Sequence, residues 1–364
     1  MRTAAIIIVQ DSNQSSVHDF TGAGSAPFGN RNLALLDVLG ESVLNRTIAR
    51  LQRYGVQPIS VVSDIDLAHA PRLSWDGATA DLEYTEAGEL LASVERLLFE
   101  YSRQDFKALV LIQLTAYAEL DYFDVLRYHR DHGRAVTTVQ DAEGALPVSV
   151  FNLKQEEECA ELLRSFWNGS LWHRNRPGAS RYVFDGYLNR LESPYDFRRL
   201  VTDALTRRCE LRPLGREVRP RVWLGDGARV DSGARILGPA YVGAHSKVRA
   251  AALLTRAASV ERNCEVDCGT VIDDATVLPF SYLGPGLEVA HTLVDGGRLL
   301  HLARNLELEI QDRRLLGRLR SPSPLLRLRD RVMARVRSGA SNDLFAPTDS
   351  PEPASFHTAG EIAP

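Results

Sequence analysis

From Trp223 to Tyr282 the chain repeats every six residues, and no other feature restricts its fold so tightly. Written in sixes it reads WLGDGA, RVDSGA, RILGPA, YVGAHS, KVRAAA, LLTRAA, SVERNC, EVDCGT, VIDDAT, VLPFSY. The second position is aliphatic in all ten hexads, from Leu224 and Val230 through to Ile272 and Leu278. A chain that is 44% apolar would place about four there by chance. The sixth position is small in nine, with Tyr282 the exception. Aliphatic and small residues alternating with this period suit a coiled parallel sheet, which stacks one aliphatic side chain inside each flat face and keeps its corners tight.

The residues before the repeat alternate between strand and helix signals. Ile6 to Val9 is a β-branched apolar run, the mark of a strand buried on both faces. In "ESVLNRTIARLQRYG", Val43, Leu44, Thr47, Ile48 and Leu51 share one helical face that stops at Gly55. "PISVVSD" reads as a second strand, Glu89 to Tyr101 as a helix, Ala108 to Leu114 as a buried strand, Asp121 to His132 as a helix ended by Gly133, and "AVTTVQ" as a further strand. Such alternation predicts an α/β domain with a mostly parallel sheet and helices on both faces. Its ligand site is expected at the carboxyl ends of the strands.

At that place the chain is unusual. Phosphate sites there favour glycine, which lets backbone N–H groups reach an anion. Here Val9 leads instead into Gln10, Asp11, Ser12, Asn13 and Gln14, with no glycine before Gly22. The length of 364 residues suggests two domains and a tail, and the net charge of −4 points to no nucleic-acid partner. Four scattered cysteines make neither a disulfide framework nor a zinc motif, and no metal ligand set is evident. No apolar run is long enough to span a bilayer and no leader pattern opens the chain, so the expected compartment is the cytoplasm.

The hexads resemble those of left-handed β-helices. Together with "LALLDVLGESVLNRTIARLQRYGVQPISVV", "ALVLIQLTAYAELDYFDVLRYHRDHGRAVTTV" and "GYLNRLESPYDFRRLVTDAL", they make the chain similar to the sugar nucleotidyltransferases, the ADP-glucose and GDP-mannose pyrophosphorylase-like enzymes that join a nucleoside triphosphate to a sugar 1-phosphate. The resemblance implies a nucleotidyltransferase-like α/β domain over 1–215 and a left-handed β-helix over 216–300; charge pattern and composition add a basic helical appendage over 301–338 and a disordered tail over 339–364. It places the nucleotide pocket at Val9, Gln10, Asp11, Ser12, Asn13, Leu33, Thr115 and Arg190.

The same positions imply lost chemistry. The family's glycine-rich basic loop falls on Gln10 to Ser15, its lysine on Leu33, and its two metal-holding aspartates near Thr115 and on Arg190. Losing about 8 kcal/mol of transition-state stabilisation slows a reaction about a millionfold. The resemblance therefore implies a catalytically degenerate member that binds a nucleotide or nucleotide sugar, or regulates an active paralogue, as a homo-oligomer or hetero-oligomer in polysaccharide metabolism. An active pyrophosphorylase with an atypical site is the first alternative, in which Mg²⁺ would be the cofactor and Asp11, Arg31, Glu119 or Asp121 would supply the missing groups.

A hexapeptide acyltransferase is the second alternative, with His245 in "YVGAHS" as general base and His291 also considered. The cluster "FWNGSLWHRNRPG" (Phe166 to Gly178) is a packed connection or, on the other reading, a platform for a base or sugar. Between Arg313 and Arg337 stand nine arginines and one acid, with Leu325, Leu328, Val332 and Val336 on one helical face. That segment reads as a cap on the β-helix, or as a contact for an anionic membrane or an acidic partner.

Overall fold

The computed structural model of the protein describes residues 2–10, 32–67, 80–165, 167 and 179–320. Residues 1–319 form one compact unit. Its first part is built on a seven-stranded sheet in the order Ala179–Val183, Val136–Gln140, Ala145–Asn152, Ala108–Gln113, Thr3–Val9, Ile59–Ser63, Asp81–Tyr84. Thr3–Val9 runs parallel to both of its neighbours, and Ala145–Asn152 runs antiparallel to both of its own.

Alternation along the first strand decides the two faces. Ala5, Ile7 and Val9 enter one core, and Ala4, Ile6 and Ile8 the other, so an uninterrupted apolar run is what a doubly covered strand needs. Helices α1 (Val43–Arg53), α3 (Tyr122–His132) and α5 (Pro194–Leu205) cover the first face, and α2 (Leu90–Arg103) and α4 (Glu156–Ser165) the second. Their ends follow from local chemistry. Ser42 accepts from the Asn45 N–H at the start of α1, Asp121 accepts from Phe123 and Asp124 at the start of α3, and Gly133 ends α3 in the left-handed region at φ 59°. Ser193 and Asp196 form a capping box on α5.

The second part is made of short strands that visit three parallel sheets in rotation. Val222–Leu224, Ala240–Val242, Ala258–Val260, Thr276–Val277 and Thr292–Asp295 stack in one; Arg229–Val230, Lys247–Val248, Glu265–Val266 and Ser281–Leu283 in the next; Arg235–Ile236, Leu253–Thr255, Val271–Asp273 and Glu288–Ala290 in the third. Val248, Leu254, Val260, Val266 and Ile272 fill the space between them and are 2% exposed or less.

The period then changes. Val242 pairs with Val260, eighteen residues on, whereas Val260 pairs with Val277, seventeen on. One residue fewer per coil sends the next side chain to the opposite face. Val277 consequently takes the interior place that the hexad pattern gives to Leu278, and Leu278 packs outward in the core of the α/β part. The same shift accounts for Tyr282: the tight corner is occupied by Ser281, fully buried, whose Oγ accepts from the Gly296 N–H at 2.8 Å. It also carries the pattern on to Val289 and Val294.

Of the expected appendage over 301–338, residues 306–309 and 316–318 are strands. Leu306–Glu309 pairs antiparallel with Arg298–His301, and Leu316–Arg318 with Ser281–Leu283. The segments 321–338 and 339–364 lie outside the described residues. The two parts of the unit share a core: Tyr241, Ala257, Leu278, Leu293, Leu300 and Leu302 pack with α5 and with Leu35 to Leu39. Arg198 of α5, 5% exposed, donates to the Asp274 carboxylate at 2.8 Å and to the Ala257 carbonyl at 2.8 Å.

Candidate functional site

The carboxyl ends of Thr3–Val9 and Ala108–Gln113 lie side by side, because Ile8 is paired with Gln113. Amide side chains close them. Gln113 Nε2 donates to Gln10 Oε1 at 2.8 Å, and Asn32 Nδ2 donates to the Gln10 carbonyl at 3.2 Å and the Leu114 carbonyl at 3.4 Å. Asn32 also caps the 3-10 turn Leu33–Leu35 by accepting from the Ala34 N–H. Val9 is buried, Leu33 is half-buried against the core, and Thr115 is exposed with its N–H on the Gln113 carbonyl at 2.8 Å.

Asn32, next to Leu33, thus ties Gln10 to Leu114, next to Thr115. Arg190 is engaged otherwise. Its Nη2 grips both oxygens of Asp141 at 2.7 and 2.8 Å, and its Nε reaches Glu143 at 3.3 Å. Asp141 in turn accepts from the Glu143 and Gly144 N–H groups, so Arg190 braces the turn before Ala145–Asn152. Asp11, Ser12, Asn13 and Arg31 lie outside the described residues.

The residues at the two expected metal positions do not fit a divalent cation, which takes carboxylate and carbonyl oxygens. One is a hydroxyl and the other a guanidinium already paired to an acid. Glu119 and Asp121 are also committed: Glu119 accepts from the Tyr117 hydroxyl at 3.0 Å and from the Glu210 N–H, and Asp121 caps α3. Among the described residues no group of three His, Cys, Asp or Glu side chains is arranged to hold a metal.

Beside the end of Ala108–Gln113 opens a small cleft. Arg46, Thr47 and Arg50 of α1 form one wall, Ile112, Gln113, Ala116, Tyr117, Ala118, Leu120 and Tyr122 another, and Leu146 to Val148 the third. Among the described residues no carboxylate lines it. Arg50, whose side chain is 10% exposed, donates to the Leu120 carbonyl at 3.1 Å and pairs with the exposed Glu210. Burial, with Glu119 nearby, pushes the Tyr117 phenol well above its ordinary range, and burial does the same to Tyr122, so both stay neutral hydroxyls. A wall of two guanidiniums, each with donors beyond its one acidic partner, suits an anion.

Sequence reading did not single out Arg46 and Arg50. Their signal was present: two arginines four apart in a helix that leaves the strand-end side of the sheet, one on the flank of its apolar stripe.

His245 is exposed and stands at a corner of the coil with φ 58°, equivalent to Gly227, Asn263 and Phe280 at 64°, 56° and 63°. The N–H groups of His245, Asn263 and Phe280 donate to the coil before, on Asp226, Ala244 and Arg262. Its backbone role is one of a column and needs no imidazole. His291 Nδ1 lies 2.7 Å from the Asp274 carboxylate that Arg198 also holds. Of the aromatic cluster only Trp167 is described, half-buried against the α2 and α4 core.

No family model matches this chain, and no curated protein matches it. Among the described residues no helix is long and apolar enough to cross a membrane.

Proposed function

We propose that the protein is a sugar-nucleotidyltransferase-like subunit that binds a nucleotide sugar or phosphorylated sugar without turning it over, with its three-sheet coil a left-handed β-helix. The observation that carries this reading is the pairing of Gln10 with Gln113 across the two strand ends, beside a cleft walled by Arg46 and Arg50. Amide and guanidinium donors neutralise and orient an anion. Nucleotidyl transfer further needs groups that stabilise the charge developing on the α-phosphate, and the positions that correspond to them are Leu33, Thr115 and Arg190. The rotation of strands through three sheets at an eighteen-residue period supports the β-helix. Self-association or pairing with an active homologue is the role that follows for the coil, and the cytoplasm is the compartment proposed.

Thermal melting with a panel of nucleotide sugars, with and without Mg²⁺, tests the reading. At a hundred times Kd a ligand specific to the folded state stabilises it by about 2.7 kcal/mol. The expected result is a rise in Tm with at least one nucleotide sugar that does not depend on Mg²⁺. A shift seen only with Mg²⁺, or with none of the panel, contradicts it.

A further inference from the structure

The turn Val38–Glu41 is gripped from both sides, and its two grips join the coil to the cleft. On its N–H side Glu261, fully buried in the coil, accepts from Leu39 at 2.9 Å and from Gly40 at 2.8 Å, while Ser259 Oγ donates to the same carboxylate at 2.9 Å. The next residue, Arg262, holds the buried Asp37 through Nε at 2.6 Å. On its C=O side Arg46 Nη2 donates to Val38 at 2.9 Å and to Leu39 at 3.4 Å. Leu39 and Gly40 both have positive φ, at 56° and 99°, and a Cβ on Gly40 would stand 2.4 Å from the Tyr241 hydroxyl of the coil. The peptide groups that Glu261 fixes are therefore those that orient Arg46.

Arg46 has donor capacity left. Its Nη1 is 3.8 Å from Glu41, too far for a hydrogen bond, and its buried Nε has no partner among the described residues. Arg50 stands one helical turn on in the same wall, and its acid, Glu210, is 63% exposed and so displaceable. Glu119, near this wall, is held by Tyr117 and by the Glu210 N–H.

We propose that the cleft binds a phosphoryl group through Arg46 and Arg50, and that Glu261, in the coil and outside the cleft, is a positioning residue for Arg46. A phosphoryl group matches the fork of a guanidinium and the two-cation wall. The phosphate site stands on the geometry alone, and only the larger ligand that carries the phosphoryl group rests on the function proposed above.

Calorimetric titration of the full chain with inorganic phosphate, and separately with a sugar 1-phosphate, tests both claims. Arg46→Gln is expected to weaken phosphate at least tenfold. Glu261→Gln, which keeps one acceptor oxygen, is expected to weaken it several-fold and Glu261→Ala more, whereas Arg198→Met, which loosens the α5–coil contact elsewhere, leaves Kd unchanged. If Glu261→Ala fails to fold, the comparison of Glu261→Gln with Arg198→Met still decides. Absence of phosphate binding by the unaltered chain overturns the site. Phosphate binding that Glu261→Gln leaves unchanged, or that Arg198→Met weakens equally, overturns the positioning role. Phosphate bound in the Arg46-dependent way with no nucleotide sugar bound would sink the proposed function and leave this inference standing. Nucleotide-sugar binding indifferent to Arg46 would do the reverse.

Discussion

Two buried side chains give this protein opposing responses to pH. His129, 4% exposed with Nδ1 2.7 Å from Thr137 Oγ1, is lowered by burial to about 4. Its unfolded form takes up a proton from about pH 6.5 downward, so stability falls as pH drops from there to about 4, by about 3 kcal/mol at most. Glu261 is raised to about 8 by burial and then by the Asp37 carboxylate, while Ser259, Gly40 and Leu39 donate to it and Arg262 and Tyr241 lie close by. The folded state keeps its proton longer than the unfolded chain, so this contribution is complete below about pH 4.5 and is lost as pH rises to about 8. Below pH 6.5 the two slopes oppose each other, and between 6.5 and 8 Glu261 acts without His129. Urea midpoints of the unaltered chain are expected to fall across pH 6.5–8, and Glu261→Gln to abolish that fall. An unchanged slope in the variant would contradict the assignment.

At the scale of elements, the α/β segments were legible because each carries its own stop. Gly55, Asp121 and Gly133 bound α1 and α3 in the sequence as in the fold. Asp81–Tyr84 and Ala179–Val183, the edge strands, were not legible: an edge strand buries little, and neither is an apolar run. The hexads were readable as a coil because one aliphatic residue per face must be interior, yet the passage from eighteen to seventeen residues per coil was hidden. Val277 and Leu278 are both aliphatic, and only stacking on Val260 selects the first. The interior column should accordingly show graded costs. Leu254→Ala, at a fully buried site in the middle of the coil, is expected to destabilise by about 2–5 kcal/mol. Leu224→Ala, half-buried at its start, should cost clearly less in the same denaturation experiment. Equal costs would mean that the column does not form a continuous interior.

For the whole molecule, position was readable and chemistry only partly so. The first strand pointed to its own carboxyl end, and the cleft is lined instead by Ile112 and Gln113 at the end of its neighbour. Arg46 and Arg50 were missed because a helix pattern does not say which of its polar residues turn towards a cleft formed by Ala116, Tyr117, Ala118 and Leu146, far off in sequence. Arg190, expected in the nucleotide pocket, is bonded to Asp141 of a hairpin that sequence did not delimit. The shared core and the Glu261 hydrogen bonds tie the coil to the turn that leads into α1.

The most direct measurement is pyrophosphate release at high protein concentration, with each nucleoside triphosphate offered alongside a panel of sugar 1-phosphates in the presence of Mg²⁺. The account predicts no release above the protein-free rate. Pyrophosphate formed in proportion to protein, with matching nucleotide sugar, would contradict it and show that Gln10, Leu33, Thr115 and Arg190 stand in a working site.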